Sequence, residues 1–244
     1  MADTIGRFQV LETCEFFADV PASVRESILS AARLRRFTSR QMMFVVGDPI
    51  IETLLLLKGC AKVTQDTPDG DEIALRITAP GELVGELGAK PGSKHSTTAE
   101  ALRQCEALAW TREAFDTALM RFPILQRNVD NILLRHIHEM EKRICCVSTQ
   151  LACGRVASEL IQLSNQIGNK VNSHVEIKIP QEALAQMTAM NMWTLNKTLR
   201  GLEKQGLLRI RRMCIEVHDS PGLLGLCKRP SWFFRQASPA ALPT

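Results

Sequence analysis

The sequence predicts an α+β chain: an N-terminal β domain of the jelly-roll type, then one long helix, then a winged helix-turn-helix. Three observations carry that expectation. Short apolar runs punctuated by turn residues fill residues 33–110, an unbroken helical pattern occupies 122–148, and two short amphipathic helices precede two short strands between Pro180 and Val217. The expected organisation is a β domain over 1–121, a long helix over 122–149, a helical module over 150–219 and a tail over 220–244.

With 244 residues, 45% of them hydrophobic, the chain has material for one large core or two small ones, which excludes disorder for most of its length. The formal charge of +4 means little as a total, but its placement is uneven. Before Phe122 acids slightly outnumber bases, whereas Lys197, Arg200, Lys204, Arg209, Arg211 and Arg212 crowd together with only Glu203 among them. Such asymmetry points to a polyanion partner. No apolar N-terminal leader and no run near the ~20 apolar residues that span a bilayer is present, so a soluble, cytoplasmic chain without a membrane partner is expected.

The 8 cysteines, at 14, 60, 105, 145, 146, 153, 214 and 227, include no C-x-x-C pair and read as small apolar residues of a reduced protein. A redox or iron–sulfur site near Cys145, Cys146 and Cys153 is the sharper alternative. Adjacent helical side chains point about 100° apart, so one metal would struggle to hold both Cys145 and Cys146.

Residues 1–15 carry no sharp signal. Phe16-Phe17-Ala18-Asp19-Val20-Pro21 then leads into a helical stretch with Val24, Ile28, Leu29 and Ala32 on one face. Residues 43–46 before Gly47-Asp48-Pro49, 53–57 before Lys58-Gly59, 61–63 before Pro68-Asp69-Gly70, and 73–77 before Pro80-Gly81-Glu82 read as strands. Many short, evenly spaced strands make a sandwich or barrel, and such folds hold ligands in their mouths. The candidate binding turn is Gly81-Glu82-Leu83-Val84-Gly85-Glu86-Leu87-Gly88, followed across a loop by Ser96-Thr97-Thr98-Ala99-Glu100-Ala101. Glycine lets backbone approach a ligand, free N–H groups and hydroxyls hold phosphate oxygens, and Glu86 can accept from a ribose hydroxyl. Taken alone, a Gly-rich turn is more often only a turn.

The long helix carries an apolar seam of Leu125, Val129, Ile132, His136, Met140, Ile144 and Val147, spaced by three or four residues. Pro123 suits a first turn, where a missing N–H costs nothing. At ~1.5 Å per residue the helix extends roughly 40 Å, more than a small β domain covers. Parallel pairing with a second copy through these residues is the preferred reading. The alternative is a helix lying across its own β domain, and Leu133, Leu134 and Ile137 widen the stripe enough to allow both contacts.

Beyond Gly154, a helical pattern with Val156, Leu160, Ile161 and Leu163 resumes, and residues 175–179 alternate as a half-exposed strand does. Pro180-Gln181-Glu182 opens a helix with Ala183, Leu184 and Met187 inward; Thr188-Ala189-Met190-Asn191 makes a bend; residues 192–205 form a second helix with Leu195, Leu199 and Leu202 inward. Two short helices joined by a tight bend, with small Ala185 and Ala189 where they cross, are what a helix-turn-helix requires. Residues 207–210 and 214–217 then form a wing. Lys197, Arg200, Lys204 and the wing arginines suit phosphate contacts. A helical hairpin with a solvated basic face is the plainer reading, but strand, bihelical unit, wing and basic cluster in that order favour double-stranded DNA.

FFADVP, FVVGDP, LLLLKGCAKV followed by TPDGDE, PGELVGELG, and LEKQGLLRI after the second helix give the chain, over 16–219, a resemblance to the CRP/FNR family of bacterial transcription regulators. The resemblance implies a cyclic-nucleotide-binding-like β sensor and a homodimer joined by the long helices. It also implies second helices entering successive major grooves about 34 Å apart, with RNA polymerase as a further candidate partner.

Residue by residue, the resemblance places effector contacts on Gly85, Glu86, Leu87, Lys94, Ser96, Thr97 and Thr98, with Met140 and Glu141 where the family's long helix reaches the nucleotide base. Members that bind cyclic AMP have an Arg in the loop that here reads Lys94-His95-Ser96-Thr97-Thr98. Lysine and histidine lack the planar two-donor fork of that side chain, which argues against cyclic AMP while leaving a cyclic nucleotide as a candidate class. FNR-like iron–sulfur binding needs clustered N-terminal cysteines, and only Cys14 lies there. Haem would need an axial His or Cys; His95, His136 and His138 are the candidates, although a seam His136 fits dimer register better.

DNA contacts fall on Asn191, Met192, Trp193, Thr194, Asn196, Lys197, Arg200, Arg211 and Arg212. Met192 and Trp193 replace the family's Arg and Glu, so a different operator is expected, with Asn pairing adenine and Met or Trp pressing on a thymine methyl. Arg211-Arg212-Met213 stands where the family's wing turn has Gly, so a deformed wing is expected. The competing function is a ligand-binding interaction protein whose C-terminal module docks on protein. No acid–base pair, nucleophile with base or metal cluster can be assembled, so no enzyme is expected.

Overall fold

The computed structural model describes residues 10–90 and 92–227. The chain divides into two compact units, Met1–Ile144 with Ile179–Asn191, and Cys145–Lys178 with Met192–Thr244. The first helix of the predicted bihelical motif therefore groups with the first unit rather than with a module running unbroken over 150–219.

The first unit is a sandwich of two four-stranded antiparallel sheets. One has the order β1 (Arg33–Phe37), β8 (Cys105–Thr111), β3 (Glu52–Lys58), β6 (Leu83–Val84); the other has β2 (Met42–Phe44), β7 (Thr98–Ala101), β4 (Ala61–Asp66), β5 (Glu72–Thr78). Alternation along β3 sorts its leucines. Leu54 and Leu56 enter the core between the sheets with Phe37, Val63, Val84 and Ala99, while Leu55 joins Phe16, Phe17, Ile28, Leu83, Trp110 and Phe115 in a second core beneath the helices. Trp110 donates its indole N–H to the Ile28 carbonyl at 2.8 Å, so the largest buried side chain has no orphaned donor. Helix α1 spans Ala22–Ser30. Helix α2, Arg112–Arg121, is started by Thr111, whose hydroxyl accepts the Ala114 N–H at 3.2 Å.

Helix α3 spans Pro123–Thr149 without interruption. Its first turns do not await a partner: Leu125, Val129 and Ile132 are buried in the core of Phe16 and Trp110, and buried Asn128 donates to the carbonyls of Phe16 and Ala18. Further along, Arg143 donates to the carbonyls of Ala74, at 3.3 Å, and of Leu75 on the edge strand β5. The helix thus lies along its own β domain, the arrangement that was the alternative on sequence grounds.

In the second unit, helix α4 (Ala152–Gln166) packs against the sheet β11-β12-β10-β9 and against two further helices. Its strands are β9 (Asn169–Val171), β10 (His174–Ile177), β11 (Leu208–Arg211) and β12 (Cys214–Val217). Helix α5 (Gln181–Met187) belongs to the first unit, where it lies against β5; α6 (Met192–Lys204) and α7 (Ser220–Leu226) belong to the second. The expected tail begins with a helix: Asp219 caps α7 by accepting the Gly222 N–H at 2.8 Å, and Leu223 is wholly buried. Lys228, Arg229, Trp232, Phe233 and Phe234 lie outside the described residues.

The bend between α5 and α6 departs from expectation in one respect. Ala189 is exposed and takes φ +51°, so its small side chain serves a left-handed turn residue and not a close helix crossing. At the wing, Arg211 pairs with Cys214 in register and Met213 takes φ +58°, so the turn closes without glycine and the hairpin is regular.

Among the described residues, no helix is long and apolar enough to cross a membrane. Cys14, Cys60 and Cys105 are buried, and the other five cysteines are half-buried free thiols.

Candidate functional site

The turn expected to hold an effector is built, but its donors are already engaged. The Glu86 carboxylate accepts the Ser96 N–H at 2.9 Å, the Ser96 hydroxyl at 2.8 Å and the Thr97 hydroxyl at 3.3 Å. Desolvation pushes this carboxyl up, yet the Ser96 and Thr97 hydrogen bonds carry it below its ordinary range. The Thr98 hydroxyl accepts the Val46 N–H at 3.1 Å and so clips two loops together. Leu87 packs against the helix-side core rather than standing free, Gly85 takes φ +140°, and Lys94 is exposed beside Pro49. His95 is buried and stacks on Phe44 with ring centroids 3.8 Å apart. Met140 and Glu141 are exposed on α3.

Two basic side chains that sequence reasoning passed over stand on β4 and β5. Arg76 faces Val63 across the β4–β5 ladder, and Val63 is wholly buried between the sheets, so Arg76 points to the interior. Its signal in the sequence was a lone charge in the apolar run Ile73-Ala74-Leu75-Arg76-Ile77. On α3, Arg135 pairs with Glu15 at 2.9 Å, Glu139 at 3.1 Å and Glu82 at 3.6 Å. His136 is half-buried beside these groups, and burial, with Arg76 and Arg135 adding to it, lowers its pKa to about 3.

Lys62 is only 5% exposed and places its ammonium 2.7 Å from Glu72, 3.5 Å from Glu100 and 3.1 Å from the Gln186 side-chain carbonyl. Gln186, on α5, also donates to Glu72 at 2.7 Å, so a fully hydrogen-bonded polar group fastens α5 to the sheet.

The seam proposed on α3 needs revision. Leu125, Val129 and Ile132 are committed to the chain's own core, so these three are not free to meet a second copy, while His136 is half-buried. The exposed apolar edge runs instead through Leu134, Ile137, Met140, Ile144 and Val147, with Ile144 63% exposed. Ile137, Met140, Ile144 and Val147 step by three and four residues, the alternation of a coiled-coil seam. A periodicity argument finds a stripe, but it cannot say which neighbour covers which part of it.

Helix α6 buries Leu195, Leu199 and Leu202 and leaves a basic face of Lys197, Arg200 and Lys204 exposed around Gly201. At its start Trp193 is 71% exposed, with the Lys197 ammonium 5.2 Å from its ring centroid. Met192 is exposed beside it. Asn196 donates one amide hydrogen to the Met192 carbonyl at 2.9 Å, which leaves its carbonyl and its second amide hydrogen for a ligand. In the wing, Arg211 is held by Glu216 at 2.9 Å, whereas Arg212 is exposed at the tip. Asn191 is exposed, Thr194 half-buried.

Residues 34–122 match the family model described as a cyclic nucleotide-binding domain, and residues 154–226 match a Crp-like helix-turn-helix domain. A CRP-like cAMP-activated global transcriptional regulator of Mycobacterium tuberculosis is 22% identical over 217 residues, covering 88% of this chain and 97% of the relative. The cyclic AMP receptor protein of Thermus thermophilus is 26% identical over 192 residues, covering 79% and 87%. Among solved structures, FixK2 of Bradyrhizobium japonicum superposes with a TM-score of 0.73 at 16% identity, covering 82% of this chain and 99% of that one. The c-di-GMP responsive regulator CLP of Xanthomonas campestris gives 0.69 at 20%, covering 81% and 99%. Likeness at these identities establishes the fold.

Proposed function

We infer that this chain, which belongs to the CRP/FNR family of transcription regulators, works as a homodimer whose β sensor sets the disposition of its two DNA-reading helices. The observation that carries the reading is the exposed face of α6, where Lys197, Arg200 and Lys204 line one side of a helix whose opposite side is buried. Lysine and arginine on such a face neutralise phosphates and fix the helix in a groove, while Trp193 and Met192 at its start meet base edges. Thymine methyls are the natural partners of those two apolar side chains.

Pairing through Ile137, Met140, Ile144 and Val147 presents two such faces to successive major grooves. An effector acts on this assembly only if it binds one arrangement better than the other. Relatives are named for cyclic AMP, but in this chain no arginine lies in the binding turn and the Ser96 and Thr97 donors are held by Glu86. The effector is therefore something other than cyclic AMP.

Gel-shift titration against promoter fragments at several salt concentrations tests the DNA reading. Replacing Lys197 and Arg200 with Ala should weaken binding and lower the magnitude of the log–log salt slope by about 2, one per phosphate contact. Binding that is insensitive to salt and to both changes would defeat the reading. The exposure of Trp193 and Met192 favours a second use, docking of this face on protein; retention of a protein partner by a chain that retains no DNA would support it.

A further inference from the structure

Cys60 and Cys105 meet inside the sandwich, and Cys146 and Cys227 meet in the second unit; only the latter pair is open to a reagent. Cys105 donates its S–H to the Cys60 carbonyl at 3.3 Å, but both side chains are buried, and burial pushes the Cys105 thiol up to about 11. Cys146, in the last turn of α3, and Cys227, just past α7, are half-buried instead. The hydroxyl of Ser158 on α4 brings these two together. It donates to Cys227 Sγ at 3.2 Å and hydrogen-bonds Cys146 as well, while the Gln150 side-chain carbonyl stands 3.2 Å from it. One hydroxyl hydrogen cannot serve three acceptors at once, so the two sulfurs share it with each other and with Gln150. The approach is built into α4. Gly154 stands one turn before Ser158, and a Cβ there would meet Gln150 Oε1 at 2.9 Å and the Leu226 carbonyl at 3.1 Å, so glycine is what lets the end of α7 close on this face. Cys145 points about 100° away around α3 and takes no part.

We propose that Cys146 and Cys227 form a reversible thiol–disulfide pair, oxidised by a low-molecular-weight disulfide, and that closing the bond locks the joint between α3 and α4. The thiolate of one cysteine attacks a sulfur of the reagent and releases half of it as a thiol; the thiolate of the other cysteine then displaces the second half. One S–S bond forms in the protein and one breaks in the reagent, and two electrons and two protons pass from the cysteines to the two released thiols. Ser158 favours this chemistry. Burial pushes the Cys146 thiol up, and the Ser158 hydrogen bond, which stabilises the thiolate, draws it back. Closing the bond strands no polar group, because the hydroxyl keeps the Gln150 carbonyl. The joint is short: α3 ends at Thr149, α4 begins at Ala152, and Gln150 between them is already turned onto Ser158. A bond from Cys146 to Cys227 ties the last turn of α3 to the end of α7, across the joint. The output of the lock rests on the DNA-binding reading above; the bond itself does not.

The test equilibrates the full chain with reduced and oxidised glutathione in varying ratio, quenches by alkylation, and reads intact mass and peptide maps. One bridge, joining Cys146 to Cys227 within a single chain, should form and should open again with dithiothreitol. Cys146→Ser and Cys227→Ser should each abolish it, and Cys153→Ser should leave it. The bond closes a long loop of the unfolded chain, so the oxidised protein should melt higher than the reduced one, and neither Cys146→Ser nor Cys227→Ser should show the rise. On gel shifts the oxidised and reduced forms should differ in DNA affinity by about fivefold or more, a difference that Cys146→Ser removes. Glutathione adducts without a bridge, a bridge through other cysteines or between two chains, or a bridge that lowers the melting temperature would overturn the proposal. Equal DNA affinity of the two forms would overturn the lock. Failure of both forms to bind DNA would count against the DNA-binding reading instead, and mass and melting would still decide the bond.

Discussion

Asn128, in the second turn of α3, sends its side-chain amide to the backbone carbonyl of Phe16 at 2.9 Å and, with its other hydrogen, to that of Ala18 at the same distance. The amide is buried, and so is Phe16, whereas Ala18 is exposed. Replacing Asn128 with Leu keeps the volume and removes the donors, leaving the Phe16 carbonyl buried without its partner. Each unsatisfied buried group costs about 1–3 kcal/mol, so Asn128→Leu should lower the urea midpoint by that order without altering the denaturant slope. An unchanged midpoint would mean that the FFADVP segment is held by its phenylalanines alone.

The rest of α3 is predicted to pair through a different edge. Ile137→Glu combined with Ile144→Glu puts charge into the exposed seam and touches no core residue. Sedimentation should then show a folded monomer, and DNA affinity should fall by more than about tenfold as the second half-site is lost. By contrast, Leu125→Ala empties a wholly buried position and should cost about 2–5 kcal/mol of stability. If Leu125→Ala dissociates the protein while the double glutamate leaves it dimeric, the seam runs where the periodicity alone had put it.

How far the sequence could be read follows from which interactions are local. The bihelical motif and the wing were legible to within a residue or two because Pro180, the alternation over 175–179 and the leucines at 195, 199 and 202 act within a few positions of themselves. Strands β2 to β5 were legible for the same reason, whereas β1 and β8 were not singled out and β6 and β7 were read as parts of a binding turn and its following loop. The seam on α3 was half misread because an apolar stripe is equally satisfied by its own core and by a second copy. Glu86 was singled out as a candidate, but its capture of Ser96 and Thr97 depends on a loop fold that no spacing encodes. Arg76 was overlooked because the register shift between Val63 and Thr64 decides which β5 side chains face inward, and a bulge leaves no mark on composition.

Gly201 lies on the exposed face of α6 among Lys197, Arg200 and Lys204, and a Cβ built there would meet nothing within 4 Å. Glycine inside a helix costs roughly 0.5–1 kcal/mol against alanine. Gly201→Ala should therefore raise the melting temperature by about 2–4 °C per kcal/mol gained. On the reading of this face as the DNA contact, the same methyl stands between the helix backbone and the nucleic acid, so affinity should fall as stability rises. Parallel melting and gel-shift measurements check both; a rise in both would place the DNA elsewhere on α6.

His136 gives the chain a predictable response to acid. Burial, and then the positive charges of Arg76 and Arg135, lower its pKa to about 3 in the folded state, against ~6.5 for an unhindered imidazole. Above ~6.5 neither state binds the proton and His136 adds nothing to the pH slope. Between that value and about 3 the unfolded chain takes up a proton that the folded chain refuses, so stability falls as pH falls. Glu72 and Glu86, both lowered against the pull of desolvation by their hydrogen-bond donors, add their own loss further down, below the ordinary carboxylate range. His136→Asn keeps a neutral polar side chain and removes the first of these terms. Its urea midpoint should therefore drop less than that of the original chain between neutral pH and about pH 5, where an unhindered imidazole is mostly charged. The imidazole proton resonance of His136 should show no titration over the same interval. A midpoint near 6.5 in that resonance would mean that α3 stands away from Arg76.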